Sequence, residues 1–205
     1  MIELNSETDF VARNESFQAL AKRLAQHALA TSPVGVERDA FLAETLDGKS
    51  IEETIKQASG TIGEAISLKR VAKFGGTVGE YRHFNSQVGV LVEVAGVSGD
   101  AALAMAREVA LHIASADPIA VNTSDIPADL LDRERRIAEE QVAAEGKPEA
   151  IRGKIVEGKV KKFAAERALM EQPFVKDESQ SIAQVVAGVP GATIKRFARF
   201  KIGEA

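Results

Sequence analysis

The chain contains no cysteine and no tryptophan. Without cysteine, disulfides and thiolate metal sites are excluded. Histidine is scarce: His27, His83 and His112 lie far apart and lack metal-ligand spacing, so no metal and no cofactor is expected. Aromatic residues make up 5% of the 205 residues, with a single tyrosine. The core must therefore be mostly aliphatic and alanine-rich, which favours helices. No apolar run approaches the length of a membrane span, and no signal peptide precedes the first polar residues. A cytoplasmic protein without membrane contact is expected. The net charge of -4 argues against a broad nucleic-acid surface.

What the chain does have is internal repetition. Apolar content of 45% and charged content of 27% are ordinary for a globular protein long enough for one large or two small domains. Leu68-Lys69-Arg70-Val71-Ala72-Lys73-Phe74 matches Ile194-Lys195-Arg196-Phe197-Ala198-Arg199-Phe200 at an offset of 126. Each alternates as a half-buried strand does. Ala19 to Pro33 aligns without gaps on Ala104 to Pro118 at an offset of 85, placing His27 on His112. Leu20, Leu24 and Ala28 line one face of that helix, and Met105, Val109 and Ile113 line its counterpart. Ser50 to Ile55 resembles Ser181 to Val186 in the same order. Three ordered matches predict a duplicated unit that reads strand, helix, helix, strand. A further strand is expected near Gly76 to Phe84, and Val88 to Val94 is a strong strand that opens the second copy. Ile2-Glu3-Leu4 reads as the same strand clipped at Met1, so the chain is expected to start mid-element.

The rise in offset leaves the second copy with about 41 more residues (126 − 85), between Pro118 and Ser181. They hold two helical stretches, Asp129 to Ala144 and Glu149 to Met170, around the turn Glu145-Gly146-Lys147-Pro148. Leu130, Ile137 and Ala144 predict a seam on the first. Ile151, Ile155 or Val156, Val160, Phe163 and Leu169 or Met170 predict one on the second. The expected fold is α+β: two duplicated subdomains, each a small antiparallel sheet packed with helices, and a projecting antiparallel coiled-coil hairpin. The expected boundaries are 1–86, then 87–128 with 171–205, and 129–170 for the hairpin.

No enzyme motif survives inspection. Gly75-Gly76-Thr77-Val78-Gly79 lacks the Lys-Ser/Thr and following helix of a phosphate loop and reads as a turn between strands. No nucleophile elbow appears. Glu52-Glu53 and Glu139-Glu140 read as solvated helix faces, and Lys159 to Lys162 as a charged coiled-coil face. His27 and His112, equivalent in the repeats, read as structural. His83 reads as an exposed contact in a loop before a strand. Interaction is the remaining function class, and "TDFVARN", Thr8 to Asn14, becomes its most informative stretch. Ser6 or Thr8 suits a cap for a short helical turn. Phe10 then either packs on Phe17 as a local anchor or points outward to a partner. The matching place in the second copy, near Val97 to Asp100, carries no Asp-Phe pair.

Those residues resemble the bacterial elongation factor Ts family, whose hallmark matches Thr8 to Asn14. Further similar segments are Thr61-Ile62-Gly63-Glu64, Tyr81-Arg82-His83 before the Gly89 to Val94 strand, Gly146-Lys147-Pro148, Val156 to Lys159 with Lys161-Lys162-Phe163, and Glu171 to Val175. The resemblance covers essentially the whole chain. It implies a guanine nucleotide exchange factor, not an enzyme, whose partner is the translational GTPase elongation factor Tu. It implies that Asp9 and Phe10 insert beside the GTPase's magnesium and switch region. Thr8 and Val11 belong to the same contact, and Ile62 and Gly63 resemble the neighbouring one. His83, Val175 and Lys176 match positions that touch the GTPase's third domain. Family members begin with a small three-helix domain and end with a further helix. On this resemblance the chain is expected to be a shortened form with weaker exchange. Ser6 stands where many relatives have cysteine, and Lys176 where some have an apolar residue. Related proteins include dimers, which leaves room for a homodimer. The alternative is a coiled-coil scaffold or RNA-associated protein without exchange activity.

Overall fold

The computed structural model describes residues 1–204. Helices and small antiparallel sheets make it an α+β protein. The first copy runs β1 (Ile2–Asn5), α1 (Asp9–Ala12), α2 (Glu15–Ala30), α3 (Arg38–Ala43), the two-residue strands β2 (Thr45–Leu46) and β3 (Lys49–Ser50), α4 (Ile51–Ile62) and β4 (Ser67–Val71). β1 pairs antiparallel with β4, and β2 with β3. Leu4, Phe17, Leu24, Phe41, Ile51, Ile55 and Leu68 gather into one buried cluster. β5 (Thr77–Arg82) falls inside the expected 76–84 stretch. The second copy then runs β6 (Val88–Ala95), α5 (Asp100–Ala116), the helices α6 (Ala128–Ala144) and α7 (Glu149–Arg167), β7 (Pro173–Phe174), β8 (Asp177–Ser181), α8 (Ile182–Ala187) and β9 (Thr193–Lys201). β6 lies between β5 and β9 in one antiparallel sheet. Val90, Val92 and Val94 pack beneath Met105, Val109 and Ile113 of α5 in a second buried cluster.

The repeats match in detail beyond the strand-helix-helix-strand outline, which omits α1, α3 and both small hairpins. Ser50 and Ser181 each close a capping box, with Glu53 and Gln184 as the returning side chains. β1 bulges between Glu3 and Leu4 where it pairs with β4, and β6 bulges between Glu93 and Val94 where it pairs with β9. The bulge places a buried glutamate opposite an arginine in each copy: Glu3 faces Arg70 at 2.5 Å, and Glu93 faces Arg196 at 2.6 Å. Burial alone would disfavour the Glu93 carboxylate. Hydrogen bonds from Lys195 and Arg196 outweigh that penalty and hold it below the usual carboxylate range. The two arginines reach across to the opposite copy. Arg70 stacks over Phe200, 4.7 Å from the ring centre, and Arg196 over Phe74 at 4.4 Å.

Helices α6 and α7 form an antiparallel hairpin whose four-residue tip, Glu145 to Pro148, is exposed. Val156 and Val160 of α7 line its seam as expected, but the α6 side differs from the sequence expectation. Ala138 and Val142 are buried against Val156 and Val160, flanked by Leu131 and Ile155. Ile137 and Ile151 are exposed. The small Ala138 side chain lets the helices approach where Ile137 would hold them apart, which rotates the seam by one residue. The second helix also stops at Arg167 rather than Met170, because Leu169 drops into the core of the second copy as part of a 3-10 turn. Lys159 bonds Gln141 and pairs with Glu145, while Lys162 pairs with Glu166. Two of the three lysines of that basic run are thus engaged within the hairpin, and Lys161 is exposed.

Candidate functional site

The offset between copies is 90 residues at Glu3 and Glu93, but 85 at His27 and His112. The first copy therefore carries five more residues between its strand and its long helix (90 − 85). They build α1. A second step of the same size follows. The offset is 131 at Ser50 and Ser181, and 126 at Leu68 and Ile194, so the first copy again has five more residues (131 − 126), and the insertion ahead of Ser181 is 46 residues (131 − 85), of which 41 is the net excess. They extend α4 to Ile62, whereas α8 ends at Ala187.

These two additions touch each other. Thr8 donates its backbone N–H to a Glu64 carboxylate oxygen at 3.1 Å and its hydroxyl to the other at 2.7 Å. Ala65 in turn donates its N–H to the Glu7 carboxylate at 3.2 Å. Gly63 makes this possible: it ends α4 in the left-handed conformation, φ 86°, which a side chain would strain. The Thr8 hydroxyl also accepts from the Val11 N–H at 3.3 Å and caps α1. Asp9 opens the helical turn, where the dipole favours an acid, and pairs with Arg13 at 3.1 Å on the open surface.

A four-residue turn has one inward position, and Val11 takes it, packing with Phe17 and Leu20. Successive residues on a helix point about 100° apart, so Phe10 is directed away from the body. It is 82% exposed. The local anchor on Phe17 is not formed, and Val11, one of the expected contact residues, belongs to the core. Glu64 was not among the expected site residues. The change of repeat offset just upstream of it was the available signal. Glu64→Ala is expected to speed exchange of the Thr8 amide about fivefold, since a hydrogen bond is worth about 1 kcal/mol. Amide exchange by NMR checks this.

The remaining site residues lie beside the second copy's sheet, Val175 and Lys176 within that copy and His83 just ahead of it, after β5. His83 sits at the β5–β6 connection, its Nδ1 2.9 Å from the Tyr81 hydroxyl and its ring 4.5 Å from that of Phe84, which is 90% exposed. Val175 and Lys176 are the turn residues between β7 and β8. The Val175 N–H donates to Nδ1 of His112 at 3.2 Å, and Lys176 pairs with Glu108 at 2.7 Å. Both groups hang from the same core, His83 through Tyr81 and Val175 through Phe174. Thr8 to Phe10 with Ile62 to Glu64 form a separate cluster on the first copy. Among the described residues, no group of histidines and acids could hold a metal, and no helix is long and apolar enough to cross a membrane.

His112 is buried, and burial pushes its pKa below the ordinary 6.5. The unfolded chain then takes up a proton near 6.5 that the native state refuses. Stability is expected to fall as pH drops through about 6.5 toward the native value, and to level off below it. Thermal melts from pH 7.5 to 5 check this, with His112→Asn flattening the dependence.

The fold and the cluster around Phe10 define a duplicated α+β protein whose first copy departs from its repeat to display an exposed, capped Asp-Phe turn. Residues 7–204 match the family described as Elongation factor TS. The chain is 41% identical to "Elongation factor Ts" of Thioalkalivibrio sulfidiphilus, covering 100% of this chain and 68% of that protein. It is 44% identical to that of Renibacterium salmoninarum, covering 99% and 74%, and 42% identical to that of Salinispora tropica, covering 100% and 75%. The chain belongs to the elongation factor Ts family, and its role is that of a translation elongation factor.

Proposed function

We propose that the protein is a non-enzymatic guanine nucleotide exchange factor for elongation factor Tu. It acts by inserting Asp9 and Phe10 near the GTPase's magnesium and switch region. The observation that carries this reading is the meeting of the two five-residue additions, which the second copy lacks and which leave Phe10 in solvent.

The physical logic needs no bond to be broken. A factor that binds the nucleotide-free partner better than the loaded one lowers nucleotide affinity by the same factor, because coupling is reciprocal. Magnesium demands near-ideal coordination, so a small displacement of its shell is costly. Phe suits the wedge because its ring has large apolar area and only two side-chain torsions. Asp9 adds a carboxylate whose only partner among the described residues is the exposed Arg13, a pair that is easily exchanged for another. Ile62 and Gly63 flank the wedge, and His83, Val175 and Lys176 form a second contact that adds affinity.

Mixing the protein with elongation factor Tu loaded with fluorescent GDP tests this. Accelerated release is expected, together with a stable complex with the nucleotide-free GTPase. Unchanged release and no complex would sink the reading.

A further inference from the structure

The two copies build the same small hairpin in different ways. β2 and β3 close on Asp47-Gly48, with φ 52° and 82°. Two positive values are what two-residue hairpin turns favour, because they match the strand twist. β7 and β8 close instead on Val175-Lys176, and neither residue has a positive φ. This turn lacks the intrinsic preference of its counterpart and needs support from outside.

The support comes from one face of α5. Val175 N–H donates to His112 Nδ1, and Lys176 pairs with Glu108, about one helical turn before His112. A backbone N–H can only donate, so Nδ1 is the acceptor and the ring proton sits on Nε2. Nε2 lies 2.9 Å from Oε1 of Gln172, whose Nε2 donates to the Glu166 carbonyl at 2.8 Å. The chain of three hydrogen bonds fixes both the tautomer and the ring plane. His27, the equivalent residue, faces the Glu44 carboxylate at 2.9 Å, and that carboxylate also accepts from Ser32. No described hydrogen bond joins its ring to the β2–β3 turn. The second copy thus has a neutral amide where the first has an acid, and a ring nitrogen directed at the turn.

We propose that His112 is a positioning residue for partner binding: its Nδ1 lone pair latches the Val175-Lys176 turn in the shape the partner meets. The proposal rests on the exchange-factor reading, in which that turn is a contact. Protonation of the ring places a second N–H against the Val175 N–H and releases the latch. Several charged groups on the elements around the ring have partners of their own, while Arg107 of α5 and Glu178 of β8 are exposed. On α5, Glu108 pairs with Lys176, and Asp117, just beyond the helix, pairs with Arg167 and Arg199. Glu166 on α7 pairs with Lys162, and Asp177 on β8 accepts from Ser179 and Gln180. Glu171 is exposed beside Gln172. The valines of β6 and Tyr81 of β5 turn toward α5, which leaves Glu80, Arg82 and Glu93 on the opposite face of the sheet. α8 carries no charge.

The test compares the wild type with H112Q, which retains a distal polar group but not the Nδ1 position, and H112N, whose amide oxygen takes that position. In the isolated proteins at pH 7.5, the Val175 amide is expected to exchange at least about tenfold faster in H112Q, with most of the protection recovered in H112N. In the GDP-release assay, H112Q is expected to raise the half-saturating concentration at least about fivefold with the saturating rate unchanged, and H112N to recover most of it. A third arm needs no variant: between pH 7.5 and 5.5 the wild-type half-saturating concentration rises, and in H112N this rise is absent. Equal Val175 exchange in wild type and H112Q overturns the latch. An unlatched Val175 with normal half-saturation overturns its role in binding. A wild type that fails to accelerate release at all overturns the exchange reading, and the contact role with it, while the amide measurement still decides the latch.

Discussion

Phe10→Ala is expected to leave the thermal transition nearly unchanged and to slow GDP release from elongation factor Tu by more than about threefold. The first half follows from exposure: a ring that is 82% in solvent contributes almost nothing to the core. Val11 and Thr8 keep α1 seated without it. The second half follows from the size of the side chain. Fully burying a Phe is worth about 1.5–3 kcal/mol, which corresponds to roughly 10- to 150-fold in rate when all of it is expressed at the transition state. Threefold is the floor, reached when the alanine complex recovers most contacts by settling closer. Stopped-flow release of fluorescent GDP and a parallel melting curve decide it. A cooperative loss of stability with normal exchange would return Phe10 to the role of local anchor.

Gly79→Ala and Gly158→Ala are expected to move stability in opposite directions. Gly79 lies on β5 opposite Val92, where α5 crosses the sheet. A Cβ there would stand 2.3 Å from the Ala106 carbonyl carbon and 2.5 Å from its oxygen. Both are backbone atoms, which cannot swing aside as a flexible side chain can, so helix or sheet must shift. Overpacking of this kind costs about 3 kcal/mol, or roughly 2–4 °C of melting temperature per kcal/mol at this chain length. Gly158 is interior to α7, and a Cβ there meets nothing within 4 Å. Alanine is favoured there by about 1 kcal/mol on helix propensity alone. Chemical denaturation of both variants reads the signs. A Gly79→Ala chain as stable as the wild type would mean that α5 does not approach β5 as described.

The duplication was legible because the repeated segments carry it on few residues: Arg70 and Arg196 in the strands, His27 and His112 in the helices, Ser50 and Ser181 at the caps. Each has a job that another side chain would not do, so similarity survives where packing residues drift. The hairpin seam was less legible. Ile137 and Ile151 are the larger hydrophobes, and a reading by hydrophobicity selects them. The helices instead close around Ala138, because close approach depends on small volume. The candidate site was half legible. Phe10 stood out as a bulky residue in a polar turn, but its clamp, Glu64, looks like an ordinary charge at a helix end. The step in repeat offset marks it, and it closes the family-like segment Thr61 to Glu64 without standing out there as a contact. The His112 contact with Val175 was beyond reach, since a side chain meeting a backbone N–H across 63 residues leaves no pattern in the sequence.

The position of β6 has a consequence for synthesis. Its partner on one side, β5, precedes it, but its partner on the other, β9, begins at Thr193, after α5 and the whole hairpin have been made. At about 5–20 residues per second, the Val88–Ala95 edge waits roughly 5–20 s on the ribosome for its second neighbour. Unpaired edges invite pairing with other chains. During that interval α5 can already fold down over Val90, Val92 and Val94, shielding the apolar face while the edge stays open. The first copy closes on β4 within its first 71 residues, so a finished half-molecule accompanies the nascent one and presents Phe74 to it. The order of emergence from the tunnel, and not the fold alone, thus decides that Phe74 is in place before Arg196 arrives to stack on it.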